Sequence, residues 1–166
     1  MYHSIEEFTV DWERESAATL KVLRAISDKA LSHRVDPAGR TLGAVAWHLV
    51  LTLGEMSGKA GLPVDGPAED APVPDSSLEI SSTYSRAARL LSEQVTARWK
   101  DAMLGDELEM YGSRWTREGV LQSLVRHQIH HRGQATVLMR QAGLAVPGVY
   151  GPAREEWAKM GMPAQP

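Results

Sequence analysis

The chain contains no cysteine, which excludes disulfides and every thiolate metal site. Any metal it binds must be held by histidine, aspartate or glutamate. The missing thiols fit a reducing compartment, and a cytoplasmic location is expected. The opening stretch "MYHSIEEFTVDW" lacks the basic region and apolar core of a signal peptide. No run approaches the ~18 apolar residues of a membrane span. Excess positive charge is also missing. Eighteen basic residues against 21 acidic ones leave a net charge of −3, so there is no electrostatic footprint for nucleic acid. No nucleic-acid partner and no membrane partner are therefore expected.

What is present suits one globular domain over residues 1–166, with 43% hydrophobic and 23% charged residues. The apolar spacing is helical in four long segments. The first opens at "SIEE", where Ser4 and Glu7 form a capping-box pattern. Ile5, Phe8, Trp12, Thr19, Val22 and Ile26 follow on one stripe. "DPAG" (36–39) breaks the chain, and a second helix starts near Thr41. From Gly58 to Asp75 the sequence is rich in Gly and Pro and carries no period. Ser76 and Glu79 then open a third helix. "GDELEMYGSRW" (105–115) alternates weakly and reads as irregular or briefly extended. Thr116 caps a fourth helix that runs to Ala142, with Gly143 as its C′ glycine and Pro147 as a stop. Pro152 and "REEWAKMG" suggest a short terminal helix. The fold class predicted is an all-α four-helix bundle. It has one long crossover connection between helices 2 and 3 and a short C-terminal helix.

The stretch "HQIHHRGQ" (127–134) holds three of the six histidines. On a wheel of ~100° per residue, with Val120 at zero, the core arc runs from Val120 and Leu124 round to Met139. His131 falls at about 20° and His127 at about 340°, while His130 points away at about 280°. An i, i+4 histidine pair can converge on one metal. It also fits a metal-free core in which each imidazole is hydrogen-bonded. The glutamate of the HExxH protease pattern is missing, since Gln128 occupies that position. A centre with an open position needs a third protein ligand. His3, His33 and His48 are the candidates. His48 lies in the apolar stretch "AVAWHLVLTL", where a histidine is either buried with a partner or serves as a ligand.

"HQIHHRGQATVLMRQAGLAVPG", with His-x-x-x-His followed by Arg-Gly-Gln and then a Gly and Pro turn, resembles the last helix of the DinB/YfiT-like superfamily. "WHLV" is similar to that family's first metal histidine, and the resemblance extends over nearly the whole chain. It implies a usually dimeric bundle holding a divalent metal, Zn or Ni, through three histidines. Here these would be His48, His127 and His131. It also implies a metal-dependent enzyme, of which some members transfer a low-molecular-weight thiol. The alternative is a non-catalytic stress-response binding protein with a structural or incidental metal.

Other residues carry weaker expectations. Gln134 shares the histidine edge and can orient a ligand imidazole from behind. Thr52 and Glu55 follow His48 on the same helix and are candidates to line its cavity. Tyr111 and Trp115 are candidates to wall a substrate pocket. Gly133 in mid-helix, with Ile129 and Val137 also off the core arc, points to close packing against a second copy. Arg132 would either pair with an acid across that interface or stay solvated.

Overall fold

The computed structural model describes residues 1–163. Four helices form the bundle: α1 (Ile5–Arg24), α2 (Leu42–Lys59), α3 (Ser77–Arg98) and α4 (Arg117–Gln141). Each starts at the hydroxyl residue expected of it. Ser4, Thr41, Ser76 and Thr116 accept hydrogen bonds from the backbone N–H groups of Glu7, Ala44, Glu79 and Gly119. These bonds satisfy amides that the first turn of a helix leaves unpaired.

Around the bundle, α1 and α2 sit on one diagonal and α3 and α4 on the other. Side-chain bonds give the directions. Trp12 Nε1 donates to the Ala88 carbonyl at 2.9 Å while the Ile5 amide reaches Asp101, so α1 and α3 are antiparallel. Tyr2 meets Glu118 and Glu15 meets Arg132, so α1 and α4 run parallel. Since α2 opposes α4, it runs parallel to α3, and the chain between them must return along the bundle. It does so against the outer side of α2. Leu62 and Val64 are buried, and the Ala71 carbonyl accepts from Trp47 Nε1 at 3.0 Å. With the strap on Trp47 and the bundle on its other faces, α2 is apolar around most of its circumference.

Of two loosely predicted regions, the first takes the extended alternative and the second differs from expectation. Residues 105–116 contain a hairpin, β1 (Glu107–Met110) paired antiparallel with β2 (Ser113–Thr116). Its two-residue turn, Tyr111–Gly112, has φ of 53° and 71°. Positive φ at both central residues is the signature of a type I′ hairpin turn. The expected terminal helix is a single 3-10 turn, Trp157–Met160, and Pro152 does not begin it. That segment is held by side chains instead. Glu156 accepts from the Gly148 and Ala153 amides, and Arg140 pairs with Glu155.

Arg132 is the main correction on α4. It is only 2% exposed and bonds within its own chain, so it is neither solvated nor an interface residue. Its guanidinium meets Glu15 Oε2 at 2.6 Å, the Glu15 carbonyl at 2.9 Å and Thr19 Oγ1 at 3.2 Å. Tyr150 closes the cluster. Its hydroxyl accepts from Arg132 and donates to Glu15 at 2.7 Å. This buried pair ties α1, α4 and the C-terminal segment together. Removing one member strands a buried charge, which costs about 3–5 kcal/mol. Glu15→Ala is therefore expected to lower the unfolding free energy by roughly that amount in urea titration. A loss under about 1 kcal/mol would show the pair to be solvent-relaxed.

Candidate metal centre

The antiparallel crossing of α2 and α4 decides which side chains meet at mid-bundle. Gln128 is fully buried, and its Nε2 donates to the Leu49 carbonyl at 3.1 Å. This bond ties the two helices together beside His48 and between His127 and His131. Gln128, notable in the sequence only as the residue replacing a catalytic glutamate, is thus a positioning residue.

At this crossing the three histidines come together. Their rings lie 4.4 to 4.9 Å apart between centroids, and one nitrogen from each falls within 4.8 Å of the others. The Nε2 atoms of His48 and His127 face each other at 3.1 Å. Two nitrogens bound tetrahedrally to one zinc ion, at ~2.0–2.1 Å each, stand about 3.3 Å apart. His131 donates from Nδ1 to Gln134 Oε1 at 2.7 Å, which leaves its Nε2 lone pair free on the side of the cluster. Among the described residues, the buried His127 Nδ1 has no hydrogen-bond partner. Residues and spacing fit a divalent metal of borderline softness. Among the described residues, His3 and His33 take no part in the cluster.

The electrostatics favour the ligand form of these rings. Burial, reinforced by the neighbouring His131, pushes His48 down to about 4 from its ordinary 6.5. Burial likewise brings His127 to about 4, with repulsion from His131, His48, His130 and Arg40. His131 is lowered as well, mainly by burial, while its bond to Gln134 works against the shift. Neutral imidazole is the species that binds a metal.

Of Gln134, Thr52, Glu55, Tyr111 and Trp115, Gln134 bonds directly to the histidine cluster. Gln134 does orient His131, and its amide also reaches the exposed His130 at 3.1 Å. Thr52 is not among the residues lining the groove over His131, and its hydroxyl donates back to the His48 carbonyl at 2.9 Å. Glu55 accepts from the Tyr111 hydroxyl at 2.8 Å and pairs with Lys59, so it braces the hairpin instead. Tyr111 and Trp115 pack edge to face at 6.0 Å in that hairpin and do not line the groove beside the histidines. That groove opens over His131 and Gln134, with a volume of about 480 Å³. Its other walls are Val35, Arg40, Val45, Val137 and Leu138. Among the described residues nothing beyond its own helix lies within 4 Å of a methyl added at Gly133, and Ile129 and Val137 are exposed beside it.

A helical bundle with a crossover after its second helix and a histidine triad across its second and fourth defines a class of metal-associated bundle proteins. The DinB family model matches residues 1–165, and this chain belongs to the DinB family. It is 41% identical over 164 residues to the uncharacterized protein YrdA of Bacillus subtilis (strain 168), covering 99% of this chain and 98% of that one. A crystal structure of a DinB-like protein from Bacillus cereus ATCC 10987 superposes with a TM-score of 0.87 at 40% identity. The match covers 90% of this chain and all of that one. The DinB-like protein YjoA of B. subtilis shares the fold alone, with a TM-score of 0.66 at 16% identity over 86% of this chain and 96% of that one. Among the described residues, no helix is long and apolar enough to cross a membrane.

The lowered histidines set a direction for stability against pH. Their folded values lie below the unfolded 6.5, so between about pH 4 and 6.5 the unfolded chain binds more protons. The metal-free protein is expected to lose stability as pH falls through that window, measured as a midpoint in urea. His48→Phe should flatten the dependence. A midpoint that stays constant from pH 6.5 to 4 would show the rings to be freely protonated.

Proposed function

We propose that this protein is a divalent-metal-dependent enzyme that transfers a low-molecular-weight thiol to small electrophiles. His48, His127 and His131 are its ligands. The observation that carries this reading is the meeting of three neutral imidazoles beside a groove large enough for a small molecule. A zinc or nickel ion held there supplies a Lewis acid and stabilises thiolate over thiol.

The protein's own groups do the remaining work. Gln134 fixes the tautomer of His131 and so presents Nε2 inward. The side chains of Val35, Val45, Val137 and Leu138 hold the electrophile in a partly dry groove. In the transfer, a sulfur–carbon bond forms, the leaving group departs with its electron pair, and the thiol proton passes to solvent through the open mouth.

Two variants and one conservative change test the reading. His127→Ala and His131→Ala are expected to reduce metal content, measured by elemental analysis, from near one per chain to near zero. Thiol consumption with a panel of electrophiles should fall in parallel. Gln134→Leu should keep the stoichiometry but weaken metal affinity about tenfold. Full metal content in both histidine variants would overturn the ligand assignment. An intact centre without thiol transfer across the panel would overturn the reaction.

A further inference from the structure

Arg40 stands at the mouth of the groove over His131. It directly precedes Thr41, the N-cap of α2. The "DPAG" bend before it is internally bonded, with Asp36 Oδ1 accepting from the Ala38 amide at 2.8 Å and the Asp36 carbonyl accepting from Gly39 at 2.8 Å. The one carboxylate in the bend is therefore turned to its own backbone. Among the described residues no acid lies within ion-pair distance of Arg40. Its charge is nonetheless felt by His48, His127 and His131 alike. Around it the groove is apolar. Val35 and Val137 stay 66% and 56% exposed at its lips, while Val45 and Leu138 are buried in its wall.

A lone guanidinium at the rim of an apolar groove, with a polar His131–Gln134 floor, has a chemical complement. We propose that Arg40 is a specificity-determining residue that binds the oxyanion of a small substrate, a carboxylate or phosphate carried on an apolar body. The planar fork of arginine pairs with both oxyanions in the same two-bond geometry. With its head at Arg40, such a molecule lays its body along Val35, Val137 and Leu138 and brings its far end over His131. The binding at Arg40 stands on the groove alone. Only the chemistry at His131 rests on the function proposed above.

The test uses the full chain, chelator-treated and zinc-loaded, titrated calorimetrically with hexanoate, hexyl phosphate and hexan-1-ol. In the chelator-treated protein at least one of the two anions is expected to bind more tightly than the alcohol. Arg40→Gln should weaken that anion about tenfold or more, leave hexan-1-ol unchanged and leave zinc stoichiometry intact. Arg40→Lys, which keeps the charge but loses the fork, should fall between. Equal affinity for alcohol and anions, no anion binding, or unchanged anion binding in Arg40→Gln would each overturn the proposal. If zinc fails to bind while Arg40-dependent anion binding persists, the metal reading fails and this one stands.

Discussion

The seam between α2 and α4 is the constraint on which the site depends. His127 and His131 are neighbours by helix geometry alone, one turn apart on a single face. His48 is not their neighbour until two antiparallel helices are locked in one register, because nothing local brings residues 79 positions apart together. The buried amide of Gln128 on the Leu49 carbonyl supplies that lock from inside the seam. A shift of one helical turn along it, about 5.4 Å, would move His48 beyond ligand reach.

That seam is held from both sides. The strap over α2 covers Trp47 and passes its Val64 carbonyl beside Gly54, which lets the helix be apolar where a bundle helix would ordinarily face water. On the far side, the Arg132–Glu15–Tyr150 cluster fastens α4 to α1 one residue beyond His131. The cluster fixes which face of α4 is turned to α1 beside the histidines. Clustered neutral imidazoles are unfavourable company for protons, and burial makes them more so. The same surroundings that oppose protonation prepare the rings to bind a cation with vacant orbitals.

What could be read from the sequence was mostly local. Helix starts were legible because Ser4, Thr41, Ser76 and Thr116 act within three residues of themselves. The crossover was legible because a Gly- and Pro-rich link that long is not needed between antiparallel neighbours. The His127–His131 pair was legible from its spacing, and His48 joined it through family resemblance. The hairpin was hidden because tyrosine is an unusual occupant of a left-handed turn position, although Gly112 beside it was a true signal. Arg132 was misread because its partner Glu15 lies 117 residues away. Gln128 and Arg40 had no sequence signal at all, since one acts through a tertiary contact and the other through a groove that only folding creates.

The central claim is that one divalent ion sits between α2 and α4 on three histidine nitrogens. The most direct measurement is an anomalous difference map at the metal's absorption edge, from crystals of the protein loaded with zinc. One peak is expected per chain, at about 2.0–2.1 Å from a ring nitrogen of His48, His127 and His131, with His131 bound through Nε2 and its Nδ1 still on Gln134. A map without a peak between these rings, or with its peak on other residues, would contradict the account.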